Sequence, residues 1–125
     1  YGYSLGTGVA TYIATRHRPR LLLLEAPYFT IPDVWWLHAP IYPYSRLFCY
    51  QFRTDERIGQ VRCPIHLFHG TNDGVVPYVS SLKLARLLGR DPAEFITTVE
   101  GGSHKDLAQF RAYQDGLSAW LGAMK

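Results

Sequence analysis

Gly2–Tyr3–Ser4–Leu5–Gly6 sets a serine between two glycines at the G-x-S-x-G spacing. A sharp strand-to-helix turn built this way holds its serine in strained backbone geometry, and the glycines keep side chains off the neighbouring chain. The turn exposes the serine oxygen above a sheet, at a helix N-terminus whose N–H groups face a developing oxyanion. With Gly and Ser each at about 7% of residues, about 0.04 such matches arise by chance in a chain this long. A serine hydroxyl is a poor nucleophile until a base takes its proton, and that base needs an orienting acid. Two later segments offer both, His69–Gly70–Thr71–Asn72–Asp73–Gly74 and Gly101–Gly102–Ser103–His104. In chain order the candidates are Ser4 as nucleophile, Asp73 as acid and His104 as base.

Such groups react only if secondary structure brings them to one edge. Leu5 to Arg16 carries Val9 and Ile13 four residues apart with small residues between, which suits a helix packed tightly on a sheet. Leu21–Leu24, closed by Pro27, reads as a buried strand, as does Ile65–Phe68 between Pro64 and Gly70. Phe95 to Val99 is a third strand, stopped by Gly101–Gly102. Pro77 opens a helix with Leu84, Leu87 and Leu88 on one face and Gly89 as its stop. A last helix runs from about Lys105 to Met124, with Leu107, Phe110, Leu117, Trp120 and Leu121 near a 3.6-residue period. Strands alternating with helices imply a parallel sheet with helices on both faces. Asp73 and His104 then both leave carboxyl ends of strands, the edge where sites assemble in open α/β sheets.

Half of the aromatic residues fall between 28 and 52, together with Pro32, Pro40 and Pro43. No single straight helix tolerates that run. It reads as an irregular, cap-like insertion at about 28–62. Its Trp35 and Trp36, with Tyr3 and Val76, are the expected lining of a substrate pocket, the alternative being a small packed cap. His38 lies in the same insertion, where substrate contact is the lesser option.

The 125 residues fit one globular domain, 47% hydrophobic and 18% charged. The longest aliphatic run is far below the ~20 residues of a membrane span, and no signal peptide opens the chain. A net charge of +3, with arginines clustered only at 16, 18 and 20, lacks the basic stripe of a nucleic-acid binder. Cys49 and Cys63 fit no zinc spacing, and whether they pair is open. The first residue is Tyr1, and three strands are too few to close the sheet. The expectation is therefore a piece of a longer protein, its amino-terminal strands missing, in which an upstream anchor stays possible although a cytoplasmic location is the default.

The chain resembles the carboxyl half of an α/β-hydrolase. The elbow Gly-Tyr-Ser-Leu-Gly-Thr-Gly, Leu24–Glu25–Ala26–Pro27, His69 to Pro77 and Gly101–His104 resemble the branch acting on acyl thioesters, lysophospholipids and small esters. The resemblance implies a partial α/β-hydrolase fold over 1–125. It also implies a Ser4–Asp73–His104 triad, the Leu5 backbone N–H as one oxyanion donor, and the second donor on an upstream loop. The expected function is cleavage of a small-molecule ester or thioester through an acyl-enzyme, with no metal or other cofactor and no nucleic-acid partner. Residues 1–125 alone are expected to be inactive.

Each candidate also has a plainer role. Ser4 could cap a helix, Asp73 could be a turn residue, and His104 could cap the last helix. His69 matches a structural position of the fold, His66 should point into packing, and His17 should be exposed. Glu25 rivals Asp73 as the acid. The alternatives in function are a hydrolase-fold protein used only for binding and a dinucleotide-binding unit on Gly6–Thr7–Gly8 with Glu25 as its ribose acid. The latter has Thr11 where a third glycine is wanted for close packing.

Overall fold

A computed structural model describes residues 1–38 and 53–124. Cys49 and the aromatics Tyr42, Tyr44, Phe48, Tyr50 and Phe52 of the expected insertion lie outside the described residues. Four parallel strands form one sheet in the order β1 (Gly2–Tyr3), β2 (Leu22–Glu25), β3 (Ile65–Gly70) and β4 (Ile96–Val99). The fourth strand is β1, whose two residues pair with Leu24 and Glu25 and deliver the chain directly to Ser4. Between strands run α1 (Gly6–Arg16), α2 (Ile31–His38), α3 (Thr54–Arg57), α4 (Val79–Leu87) and α5 (Pro92–Phe95); α6 (Arg111–Gly122) follows the sheet. This is the expected parallel sheet flanked by helices. No described helix is long and apolar enough to cross a membrane.

All of β2 is buried, as a strand covered on both faces must be. Leu22, Leu24, Leu67 and Ile96 face one core with Ala14, Ile58, Leu84 and Phe95. Leu23, Phe68 and Val99 face the other, against Leu107 and Tyr113. The period-2 alternation of the strands sorts neighbouring residues to opposite sides.

Helix α1 corrects the sequence reading in detail. Its buried residues are Thr7, Gly8, Thr11 and Ala14, while Val9 is 42% and Ile13 51% exposed. Small side chains let the helix lie close to the sheet, and the larger apolar pair is turned away. The closeness is real at Gly2, where an added Cβ would stand 2.7 Å from Ala10 Cβ and 2.9 Å from the Gly6 carbonyl oxygen. At Gly6 a Cβ would meet nothing within 4 Å, so crowding among the described residues does not require that glycine. Phe95 also departs from the expected strand. Asp91 accepts the Ala93 N–H at 2.9 Å and Pro92 fixes the first helical φ, so a one-turn helix ends at Phe95 before β4 begins. The last helix begins six residues late, because 107–109 form a 3₁₀ turn that buries Leu107.

His66 points into packing as expected, on the α6 face of the sheet. Its ring lies 4.5 Å from that of Trp120, and Nε2 meets Thr97 Oγ1 at 2.8 Å while Nδ1 is buried without a partner among the described residues. Burial pulls its pKa from 6.5 down to about 4. Between those values the unfolded chain holds a proton that the folded chain does not, so stability falls as pH drops through the window. The loss by pH 4 is roughly 3 kcal/mol. Unfolding curves measured from pH 7 to pH 4 should show this slope in the wild type and its near absence in His66→Gln. Parallel slopes would assign the acid sensitivity elsewhere.

Candidate active site

Ser4 ends β1 at φ +50°, a left-handed conformation that costs a non-glycine residue roughly 1–3 kcal/mol. Two hydrogen bonds hold the turn: Ser4 N–H donates to Glu25 O at 2.9 Å, and Thr7 N–H to Ser4 O at 3.0 Å. Thr7 Oγ1 adds a third, to the same Ser4 oxygen at 2.6 Å. The residue at the N-cap of α1 is Leu5, not Ser4, and Leu5 makes no side-chain cap bond. Ser4 Oγ is directed elsewhere, 2.9 Å from His104 Nε2.

His104 Nδ1 lies 2.8 Å from Asp73 Oδ2, completing a chain of contacts from serine to carboxylate. The tautomer follows from the partners. A carboxylate only accepts, so Nδ1 carries the proton and Nε2 is left to accept the Ser4 hydroxyl. Asp73 is buried, and its Oδ1 accepts the N–H groups of Val75 at 2.9 Å and Val76 at 2.8 Å. Burial by itself raises the pKa of this carboxyl, but donors from His69, His104, Val76 and Val75 outweigh it and hold it at about 2. Asp73 is therefore ionised throughout the neutral range.

The loops that carry Asp73 and His104 are brought together by backbone packing. A Cβ at Gly70 would lie 2.1 Å from the Gly102 carbonyl oxygen, and one at Gly102 would lie 2.8 Å from Val99 Cγ1. Asn72 N–H donates to that Gly102 oxygen at 3.0 Å, and Thr71 N–H to Val99 O at 3.1 Å. These contacts join the loop after β3 to the loop after β4, and so place Asp73 beside His104.

No protein-family model matches the chain. An uncharacterized protein of Mycobacterium tuberculosis is 31% identical over 123 residues, covering 97% of this chain and 43% of that protein. The lysophosphatidylserine lipase ABHD12 of Danio rerio is 30% identical over 106 residues, covering 67% of this chain and 27% of that lipase. Among solved structures, the alpha/beta hydrolase enzyme MGS-MChE2, from the metagenome of sediments of the Mar Chica lagoon in Morocco, matches with a TM-score of 0.69 and 15% identity. It covers 98% of this chain, which spans 60% of it. Esterase PE8 matches with a TM-score of 0.63 at 18% identity, over 99% of this chain and 48% of that one. The chain belongs to the α/β-hydrolase superfamily. It spans less than half the length of the relatives named by sequence.

Around the three residues this α/β-hydrolase chain builds a supporting layer. His69 is fully buried, with Nε2 2.9 Å from Val76 O and 3.3 Å from Asp73 Oδ2, and Nδ1 2.7 Å from Ser81 Oγ. Both neighbours of Nε2 are acceptors, so Nε2 carries a proton, and the Ser81 hydroxyl can pair with Nδ1 in either direction. Its position beside Asp73 is legible in the sequence; the tie to Ser81 on α4 is not, because only the fold brings α4 back over β3. Val76, expected in a pocket wall, is buried, and its backbone serves Asp73 and His69. Glu25 is also buried, and its carboxylate accepts the hydroxyls of Tyr1 and, at 2.7 Å, Tyr113. Burial first, and that carboxylate after it, push the Tyr1 phenol well above its usual range. Glu25 is thus engaged by tyrosines, while Asp73 occupies His104 Nδ1.

The remaining sequence candidates fall at the rim. Tyr3 is 38% exposed, with its hydroxyl on the His104 carbonyl at 2.7 Å. Trp35 and Trp36 lie on α2, both exposed. That helix ends at His38, whose Nε2 donates to Val75 O at 2.9 Å, two residues beyond Asp73. Lys83 meets Asp33 of the same helix at 3.2 Å. His17 is exposed as expected. Among the described residues no group of three or more His, Cys, Asp or Glu is placed to hold a metal ion.

Proposed function

We propose that this chain carries the catalytic machinery of a serine hydrolase that cleaves a carboxylic ester or thioester through an acyl-enzyme. The observation that carries the reading is the continuous set of contacts from Ser4 Oγ through His104 to Asp73. His104 Nε2 takes the Ser4 proton as Oγ attacks the acyl carbonyl, and Asp73 stabilises the imidazolium that forms. Leu5 precedes the first turn of α1, where N–H groups lack an intrahelical acceptor, so its N–H is the natural donor to the oxyanion. His104 then protonates the leaving alcohol or thiol. Water, deprotonated by the same histidine, attacks the acyl carbonyl carbon; the bond to Ser4 Oγ breaks, His104 returns the proton to Oγ, and the carboxylic acid leaves. Trp35 and Trp36 on α2, which is anchored to the Asp73 loop, are proposed to border the acyl group. The likeness to a lysophosphatidylserine lipase supports a substrate with a hydrophobic acyl chain.

A fluorophosphonate probe tests this in the full-length protein, since only an activated serine reacts with it. Labelling is expected at the peptide containing Ser4, and it should be blocked by prior turnover-competing ester. Absence of labelling would favour a hydrolase-fold protein used only for binding. The second oxyanion donor is proposed to come from outside residues 1–125. This segment alone is accordingly expected to react far more slowly, since one such donor is worth about 10²–10³ in kcat.

A further inference from the structure

Tyr3 stands immediately before the proposed nucleophile, yet its hydroxyl reaches 101 residues along the chain to the backbone carbonyl of His104, at 2.7 Å. The two rings lie 5.3 Å apart between centroids with their planes tilted by 35°. Tyr3 as a whole residue is 38% exposed, and the bond itself is partly buried. Burial first, and then the charges of Glu25 and Asp73, raise the Tyr3 pKa, which keeps the hydroxyl a donor through neutral pH and beyond.

We propose that Tyr3 is a positioning residue for His104, clamping the loop that bears the base onto the strand that bears the nucleophile. The proposal rests on the Ser4–His104–Asp73 reading and adds to it what keeps the first two at bonding distance. The stem of the His104 loop is fixed to the acid side by Asn72 N–H on Gly102 O and by Asp73 on Nδ1. On the nucleophile side, two hydrogen bonds tie it to the elbow, from Ser4 Oγ to Nε2 and from Tyr3 to the carbonyl. The first of these is consumed when Nε2 takes the proton and Oγ turns to the acyl carbon. Through that step the Tyr3 bond holds the separation of loop and elbow. A loop that drifts by a few tenths of an ångström loses the alignment on which proton transfer depends.

The test uses the full-length protein, a short p-nitrophenyl ester and the fluorophosphonate probe. In Tyr3→Phe, kcat and the rate of Ser4 labelling should each fall about five- to tenfold, the rate equivalent of one net hydrogen bond. KM for the short ester and the melting temperature should stay at their wild-type values. Tyr3→Leu, which also removes the ring, should be at least as slow. A Tyr3→Phe kcat within about twofold of wild type would overturn the proposal. So would a loss carried by KM, the mark of a substrate contact, or one that tracks a fallen melting temperature. Ser4→Ala run in parallel separates the two levels. If it keeps wild-type turnover, the triad reading has failed and takes this proposal with it; if it is dead and Tyr3→Phe is unimpaired, only the role of Tyr3 is lost.

Discussion

Ser4→Ala in the full-length protein is expected to lower kcat by about 10⁶ while leaving the fold intact. Removing the nucleophile of a serine triad has an effect of that order, because the remaining groups act on nothing once the attacking oxygen is gone. The fold should persist because, among the described residues, Oγ hydrogen-bonds to His104 alone, whereas the turn itself is held by the Ser4 backbone. Alanine adopts the left-handed φ at a cost similar to that for serine, so the elbow keeps its shape. Circular dichroism and thermal unfolding beside a steady-state assay measure both halves of the expectation. Residual turnover within about tenfold of wild type would remove Ser4 from the reaction.

Asp73→Asn should come next, at about 10⁴ in kcat. The asparagine oxygen would stay on the Val75 and Val76 N–H groups that Oδ1 accepts now, leaving the NH₂ facing His104 Nδ1. A donor there forces the histidine proton onto Nε2, and the ring can no longer accept from Ser4. His69 Nε2 would face the same NH₂ from 3.3 Å, so flipping the amide trades one clash for two at the backbone. Glu25→Gln, by contrast, should cost less than about tenfold, since its partners are tyrosine hydroxyls that an amide oxygen also satisfies. Steady-state kinetics on both variants decide the acid. Reversed magnitudes would make Glu25 the acid and Asp73 a turn residue.

Three of the four strands, and the chain order of the candidate site residues, were legible because they depend on local signals, whereas two-residue β1 was not. Leu21–Leu24 between breakers, and the polar groups just past Phe68 and Val99, put the chemistry at one sheet edge before any coordinates are known. The inward face of α1 was not legible. Val9 and Ile13 carry the stronger hydrophobic signal, but close approach to the sheet selects by size, and Thr7, Gly8, Thr11 and Ala14 occupy that face. The supporting contacts were equally hidden. Tyr113 to Glu25, Ser81 to His69 and Tyr3 to His104 each join residues whose types have many possible partners, and only the fold chooses among them. Of the insertion expected at about 28–62, α2 and α3 are described, and the stretch from 39 to 52 lies outside the described residues.

The near-collision of Gly70 with Gly102 has a consequence for how such a protein can change. The spacing between Asp73 and His104 is written in main-chain atoms, where a single added carbon would stand 2.1 Å from a carbonyl oxygen. Side-chain variation elsewhere therefore has little leverage over that spacing, and variation at these two positions has too much. The ties of α2 to the Asp73 loop, through His38, and to α4, from Asp33 to Lys83, are made by side chains instead. Among the described residues the atoms nearest the Gly70–Gly102 contact come from Val99 and Leu107 and none from α2, so changes in α2 side chains do not bear on it directly.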